Sequence, residues 1–257
     1  MSTPTPNADR ATAGILAANE NIAHNREGAW REARPGLLAL MTTLPGRPYN
    51  GVFGLDATAS ADDALSMVAR LAASPVSWCA RLRPTVSRSV DGALEGVGII
   101  AQDETLLMAT TSLGRGGDPP NPPDLTLRTG AVEDSRAIAE VLAAAFGTPP
   151  SSAAQLLDRA HISRAPISWH LGVVGEEPVT CAMAVLAGEA VGLFAVGTVP
   201  NARGRGYASA VTTRALRHGF AAGASFAVLT ASPDVRTLYE GLGFQVLESW
   251  RRLVPSS

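Results

Sequence analysis

A glycine- and arginine-rich run, placed between an apolar stretch and a helical pattern, constrains the fold of this chain more than any other feature. Residues 199–210 read Val-Pro-Asn-Ala-Arg-Gly-Arg-Gly-Tyr-Ala-Ser-Ala. The β-branched stretch at 192–199 predicts a strand before the run, and residues 207–220 predict a helix after it. A strand, a glycine loop and a helix N-terminus in this order direct successive backbone N–H groups at one anion. The run therefore predicts a site for phosphate oxygens.

The basic residues of the sequence limit how such a site can work. All 21 lysine-or-arginine residues are arginine. The lack of lysine excludes Schiff-base catalysis, covalent pyridoxal phosphate attachment and a Walker A lysine. A phosphate loop here must act through backbone amides and through Arg203 and Arg205, which can add charge-assisted hydrogen bonds.

Charge and hydropathy argue against nucleic acids and membranes as partners of this chain. A net charge of −2 and a pI of about 6.1 argue against general nucleic-acid binding. The apolar runs are too short to span a bilayer, and residues 1–10 lack a signal-peptide pattern. We therefore expect a soluble, cytoplasmic protein with no nucleic-acid or membrane partner. The histidines and cysteines lack metal-ligand spacing, so no metal is expected. Cys79 and Cys181 lie in separate apolar segments and are expected to be buried thiols.

The chain divides where proline and glycine are densest. Residues 114–124 carry four prolines and three glycines, which predicts a linker. We expect an N-terminal α/β domain at 1–113 and a second domain at 125–257. The sequence of the second domain predicts the element order β-α-α-β-β-β-loop-α-β-α-β. This order indicates an α/β fold with a mixed, mostly antiparallel sheet flanked by helices.

The N-terminal domain is less regular. A helix is expected at 19–34, and two separate terminal strands at 98–102 and 105–112. Residues 94–99 read Leu-Glu-Gly-Val-Gly-Ile and align with Tyr-Glu-Gly-Leu-Gly-Phe at 239–244. Common ancestry of the halves and chance similarity both remain open. In a repeat, residues 57–62 (Ala-Thr-Ala-Ser-Ala-Asp) would replace the glycine-arginine run, so only one half would hold phosphate.

Two motifs of the second domain together resemble those of the GCN5-related N-acetyltransferase (GNAT) family. The run at 198–208 resembles the family's pyrophosphate signature, Gln/Arg-x-x-Gly-x-Gly/Ala, through Arg203, Gly206 and Ala208. Residues 232–244, ending Leu-Tyr-Glu-Gly-Leu-Gly-Phe, resemble its second signature, Asn-x-x-Ala-x-x-Leu-Tyr-x-x-x-Gly-Phe. The resemblance covers about 125–253 and implies the acyl-CoA N-acyltransferase fold. The N-terminal half would be a degenerate GNAT-like copy.

The resemblance implies a role for each matching residue. Acetyl-CoA, or another acyl-CoA, would donate its acyl group directly to a primary amine. Tyr239 would be the general acid for the departing thiolate. Val235 stands in place of the family's Ala. Ser232 stands where the family often has an Asn that contacts the cofactor. The remaining cofactor contacts would come from two segments: backbone of Val196, Thr198 and Val199 for the pantetheine arm, and amides of Arg203, Gly204, Arg205, Gly206, Tyr207 and Ala208 for the pyrophosphate.

Several questions stay open at the level of sequence. No general base is assigned, because the strand at 192–199 has no carboxylate and Glu176, Glu177 and Glu189 fall at turns or strand starts. The acceptor is expected to be a small-molecule amine, bound by residues 146–167 and the N-terminal half. A protein N-acetyltransferase and a catalytically inactive acyl-CoA-binding module are the alternatives. The oligomeric state is also open.

Overall fold

The computed structural model describes residues 5–24, 26–113, 121–157 and 165–256. Strands and helices alternate along the chain. The strands are β1 (Trp30–Arg34), β2 (Leu37–Met41), β3 (Gly51–Gly54), β4 (Cys79–Leu82), β5 (Ile99–Thr110), β6 (Leu125–Thr129), β7 (Ile167–Val174), β8 (Glu177–Ala187), β9 (Ala190–Thr198), β10 (Phe226–Ala231) and β11 (Gln245–Pro255). The helices are α1 (Ala8–Ala23), α2 (Ala61–Ala72), α3 (Arg88–Gly96), α4 (Ser135–Phe146), α5 (Pro150–Gln155), α6 (Tyr207–Ala221) and α7 (Arg236–Gly241).

The chain forms two compact units. Unit 1 comprises Met1–Ile22, Met108–Thr230 and Asp234–Gln245, and unit 2 comprises Ala23–Leu107, Ala231–Pro233 and Val246–Ser257. This arrangement differs from a simple division at 114–124, because α1 and the last three residues of β5 join unit 1 and most of β11 joins unit 2. Residues 114–120 of the expected linker lie outside the described part of the chain.

Unit 1 holds a run of five neighbouring strands in the order β10-β9-β8-β7-β6. The β6/β7, β7/β8 and β8/β9 pairs are antiparallel, and β9/β10 is parallel. Alternate residues of a strand face opposite sides of a sheet. On β7, Trp169 lies next to Gly130, as does Ile138 of α4, whereas the ring of His170 meets His218 of α6. The mixed, mostly antiparallel sheet flanked by helices is therefore confirmed.

Unit 2 is a smaller α/β assembly with strand order β1-β2-β3-β4-β11-β5. Its core is formed by one face of these strands with α2 and α3, and includes Met67, Leu71, Leu82 and Leu94, all fully buried. The β1/β2 and β2/β3 pairs are antiparallel, and β3/β4 is parallel.

The two halves of the chain repeat one order of elements. The order β1-β2-β3-α2-β4-α3-β5 recurs as β7-β8-β9-α6-β10-α7-β11, with the same three pairings between the first four strands of each set. A repeat would require this shared order, and a common origin of the two halves stays a prediction.

Three sequence-based expectations for elements were wrong or incomplete. The first helix is Ala8–Ala23 rather than 19–34, because the side chain of Asn7 caps it by accepting from the N–H of Arg10 at 2.9 Å. The two expected strands at 98–112 are the single strand β5. The predicted order has two helices after the first strand of the second domain, and the second of them is the short α5 at Pro150–Gln155, with 158–164 outside the described residues.

Candidate acyl-donor site

The parallel strands β9 and β10 pair over only three residues of each strand. Their pairing joins Ala190, Val191 and Gly192 to Phe226, Ala227 and Val228 and ends there. Strand β9 continues to Thr198 while it stays paired with β8 on its other edge. Residues 193–198 therefore leave one edge of β9 unpaired with β10.

A β-bulge lies within this unpaired stretch. Cys181 faces Gly197 and Met183 faces Phe194, so Ala195 and Val196 on β9 oppose the single residue Ala182 on β8. Ala195 has φ 49°, an uncommon conformation for alanine. The Cys181 thiol donates to the Ala195 carbonyl at 3.8 Å, and burial raises the pKa of this thiol to about 12. The bulge bends β9 at the place where the sheet opens.

The ladder with β8 decides which backbone groups of β9 face the opening. The N–H of Val199 donates to the carbonyl of Val179 at 3.0 Å, so Val199 faces β8. Because sides alternate along a strand, Gly197 also faces β8, whereas Val196 and Thr198 face the opposite edge. The N–H of Val199 is therefore already used within the sheet, and the expected contact between the backbone of Val199 and the pantetheine arm stays a prediction. The contacts of Val196 and Thr198 with the pantetheine arm also stay predictions.

The glycine loop ends at an N-terminus of α6 that no side chain caps. Gly204 and Gly206 have φ 75° and 81°, and Gly206 is the N-cap residue. The first bond into the helix runs from the N–H of Ala210 to the carbonyl of Gly206, which leaves the N–H groups of residues 207–209 without helical partners. The first turn has no acidic residue. These amides and the positive end of the helix dipole favour an anion.

The two loop arginines have different tasks. The Arg203 guanidinium donates to the carbonyl of Thr198 at 3.2 Å and to that of Ala145 at 2.7 Å. Its side chain thus joins the end of β9 to the end of α4, instead of extending freely toward a phosphate. Arg205 is exposed, and the hydroxyl of Tyr207 donates to Asp124. Tyr207 is buried, so only its backbone N–H is available to a ligand.

Tyr239 lies on α7 in unit 1 and is buried, with 8% of its surface exposed. Its ring packs edge-to-face on Phe244, with centroids 5.8 Å apart. Burial raises the pKa of the Tyr239 hydroxyl to about 12. The group is therefore protonated throughout the neutral range.

Two further sequence candidates differ in outcome. Ser232 follows β10 and belongs to unit 2, so its cofactor contact stays a prediction. Glu189 precedes β9 at the end far from the glycine loop and forms a bidentate ion pair with Arg10. That guanidinium lowers the pKa of the Glu189 carboxyl. Both its location and its low basicity disfavour Glu189 as a general base.

The end of α4 forms one side of the opening. A Cβ on Gly197 would lie 2.9 Å from Cβ of Ala145 and 3.4 Å from the ring of Phe146, so this helix packs directly on β9. Phe146 keeps 55% of its surface exposed. It is thus an exposed aromatic ring beside the residues that face the opening.

The sequence analysis did not predict the bulge in β9 or the structural role of Arg203, whose side chain joins β9 to α4. Neither leaves a local signal, since an alanine at positive φ looks like any other alanine, and the carbonyls that Arg203 binds lie 5 and 58 residues away. The early end of the β9/β10 pairing is equally a property of the assembled sheet. The expected burial of both thiols is confirmed, because Cys79 and Cys181 are free and buried.

Two further observations concern membranes and metal ions as partners. Within the described residues, the structure contains no helix with the length and apolar character that crossing a membrane requires. The same part of the chain shows no group of three or more His, Cys, Asp or Glu side chains that could hold a metal ion.

Comparisons with known proteins agree with the geometry. Residues 126–247 match a family model described as an acetyltransferase (GNAT) domain. No curated protein matches the chain significantly. A GCN5-related N-acetyltransferase from Kribbella flavida has a TM-score of 0.73 at 17% identity, over 97% of this chain and 96% of that one. A GCN5-related N-acetyltransferase from Sphaerobacter thermophilus has a TM-score of 0.62 at 20% identity, over 95% and 90%.

The structural matches are distant in sequence, so they establish the fold alone, and they extend over both halves of the chain. The match to the family model coincides with the segment that contains the opening of β9, the glycine loop and Tyr239. Residues 126–247 are a domain of the GCN5-related N-acetyltransferase family.

Proposed function

We propose that this domain transfers an acetyl group from acetyl-CoA to a primary amine of a small molecule. The observation that carries the proposal is the unpaired edge of β9, which ends at the uncapped N-terminus of α6. An extended arm with amide groups fits a free strand edge, and a pyrophosphate fits a helix N-terminus. Coenzyme A has both parts in one molecule.

The backbone holds the donor in this proposal. The amides of Gly204, Arg205, Gly206, Tyr207 and Ala208 bind the pyrophosphate, and Arg205 adds positive charge. Val196 and Thr198 bond to the pantetheine arm through the groups that face away from β8. Arg203 contributes as a positioning residue, because its side chain joins β9 to α4.

The chemical step is a direct attack. The amine nitrogen bonds to the thioester carbonyl carbon, the C–S bond breaks, and the electron pair leaves on sulfur. Tyr239 donates its proton to that sulfur, the amine loses a proton to solvent, and the Tyr239 phenolate then regains a proton from solvent. A pKa of about 12 for a phenol exceeds the usual thiol value of about 8.5, yet burial raises a thiol's pKa as well. Burial thus shifts both pKa values upward, and the transfer from Tyr239 becomes favourable only as negative charge builds on a desolvated sulfur.

An assay of thiol release from acetyl-CoA tests the proposal directly. The acceptors are a panel of amines, amino acids and aminoglycosides, with a peptide N-terminus as a separate arm. Tyr239→Phe removes the hydroxyl, and Tyr49→Phe removes a hydroxyl from a buried tyrosine of unit 2 as the matched control.

We expect Tyr239→Phe to lower kcat by about 10²–10³-fold, in the range typical of general acids, with an unchanged Kd for CoA. Tyr49→Phe should keep the wild-type rate. Equal rates for the two variants would remove Tyr239 from the mechanism. Binding of CoA with silence across every acceptor would instead support the binding module, and turnover of the peptide alone would support a protein N-acetyltransferase.

A further inference from the structure

The opened segment of β9, residues 193–198, is held by a neighbouring strand on one edge. Its pairing with β10 ends at Gly192, whereas β8 stays beside it up to Thr198. The register with β8 shifts between Cys181 and Met183, so the bulge also interrupts the backbone ladder on that edge. The position of the segment therefore depends on the remaining bonds to β8.

Two side chains of β8 supply bonds of this kind. The hydroxyl of Thr180 donates to the carbonyl of Gly197 at 2.9 Å, and the thiol of Cys181 donates to the carbonyl of Ala195 at 3.8 Å. Thr180 and Cys181 are both fully buried, so water cannot replace either donor. A thiol is a weak donor, whereas a hydroxyl at 2.9 Å forms a full hydrogen bond. Thr180 is thus the stronger of the two links.

A second hydroxyl bonds to Thr180. The Oγ1 atoms of Thr180 and Thr198 lie 2.9 Å apart. A hydroxyl has a single proton, and a carbonyl can only accept. Because Thr180 gives its proton to the carbonyl of Gly197, the hydroxyl of Thr198 is the donor between the two threonines. Thr180 therefore binds both the backbone of Gly197 and the side chain of Thr198 to β8.

We propose that Thr180 is a positioning residue for the arm of the acyl donor. The inference rests on the proposed function, in which the backbone of Val196 and Thr198 bonds to that arm. Gly197 lies between these two residues, and each peptide group is planar, so holding the Gly197 carbonyl orients the groups on either side of it. Thr180 is fully buried and acts through β9 rather than by contact with CoA.

This role has a consequence for affinity. When only a fraction of the protein has the binding-competent conformation, the apparent Kd rises by the inverse of that fraction. Removal of the Thr180 hydroxyl leaves the segment less firmly attached to β8, which lowers that fraction. CoA should therefore bind more weakly, although no group that contacts CoA has been removed.

Calorimetric titration of the full chain with CoA tests the proposal, with urea unfolding measured for each variant. Thr180→Val removes the hydroxyl and keeps the branched shape, and Thr180→Ser keeps the hydroxyl. Thr180→Ala serves the same purpose as Thr180→Val if valine impairs folding. Thr198→Val removes the outer hydroxyl alone. Thr212→Val is the matched control, since Thr212 of α6 is fully buried and its hydroxyl has no hydrogen-bond partner among the described residues.

We expect Thr180→Val to raise the Kd for CoA about five- to tenfold, the equivalent of one buried hydrogen bond, and Thr180→Ser to restore most of the affinity. Thr212→Val should bind CoA like the wild type. Thr198→Val should have a smaller effect than Thr180→Val, because the bond to Gly197 remains. A purely structural role of Thr180 would lower the free energy of unfolding and leave the Kd of the folded protein unchanged.

The inference is overturned if Thr180→Val binds CoA as tightly as Thr212→Val, or if Thr180→Ser fails to restore the affinity. It is also overturned if Thr198→Val weakens binding more than Thr180→Val, since Thr198 would then contact the arm itself. In these cases the wild type still binds CoA and releases thiol, so the proposed function stands. A wild-type chain that binds no CoA contradicts both, and CoA binding without acyl transfer to any amine contradicts the proposed function alone.

Discussion

Tyr239 illustrates how one environment sets the chemistry of a side chain. Its ring is covered by Phe244 and its neighbours, which leaves 8% of the residue exposed. Desolvation penalises the phenolate and raises the pKa of the hydroxyl from 10 to about 12. A donor whose pKa has been raised stays protonated below the new value, so it is ready to donate at every pH at which the protein works.

This environment predicts the alkaline side of the pH–rate profile. With the pKa of Tyr239 near 12, kcat should not fall between pH 8 and pH 10.5 through loss of its proton. The measurement is kcat against pH for the wild type and for Tyr239→Phe. A descending limb near pH 10 that is present in the wild type and absent from the variant would contradict the assignment.

Arg203 shows that a motif residue can act through its side chain on the protein itself. Its guanidinium binds the carbonyls of Thr198 and Ala145, at the ends of β9 and α4. A cation at the C-terminal end of a helix is favourable, because the last carbonyls lack helical donors.

We expect Arg203→Ala to lower the free energy of unfolding by about 1 kcal/mol, as the loss of partly exposed hydrogen bonds from a charged donor predicts. Urea unfolding measures this change. The control is Arg136→Ala, whose solvent-exposed pair with Glu140 should contribute less to stability. If both variants had the same free energy of unfolding, the contacts of Arg203 with the two carbonyls would not stabilise the protein measurably.

At the scale of elements, two helices in equivalent places of the chain order have opposite N-termini. In α2, the hydroxyl of Ser60 accepts from the N–H of Asp63, and Asp62 and Asp63 occupy the first turn. In α6, neither a side-chain cap nor an acidic residue is present. Strand β3 also pairs with β4 along its whole length, whereas β9 leaves β10 after Gly192. In the described part of the N-terminal half, the start of α2 and the edge of β3 therefore lack the features from which we propose the anion site and the pantetheine site.

The loop glycines give a prediction at this scale. Gly204 and Gly188 both have positive φ, 75° and 57°, and both would place a Cβ in open space. Alanine at either position should destabilise the protein by about 1–2 kcal/mol, the cost of a left-handed conformation. Only Gly204→Ala should also weaken CoA binding, by about tenfold or more, because its Cβ would stand where the pyrophosphate is expected. Equal CoA affinity in both variants would contradict the proposed phosphate loop.

At the scale of the whole molecule, the sequence predicted the secondary-structure elements that depend on local patterns of residues. The strand, glycine loop and helix at 192–220 were predictable because turn-forming residues and the spacing of apolar residues are signals that extend over only a few positions of the sequence. The sequence did not predict that the N–H of Val199 points toward β8, because this direction depends on the register between β8 and β9. The bulge at Ala195, the early divergence of β9 from β10 and the exchange of α1 and β11 between units also arise only in the assembled sheet.

One prediction belongs to the molecule as a whole: the chain binds a single acyl-CoA, and unit 1 holds it. Residues 57–62 replace the glycine-arginine run in the first half, and the helix that follows them is capped by its own side chains.

The most direct test is a titration of the full chain with CoA, followed through the backbone amide signals in NMR spectra. The account predicts saturable shifts with one CoA per chain, at Val196, Thr198 and residues 204–208, and none at Ser60–Asp63. Shifts at the start of α2, or the absence of shifts in the glycine loop at saturating CoA, would contradict it.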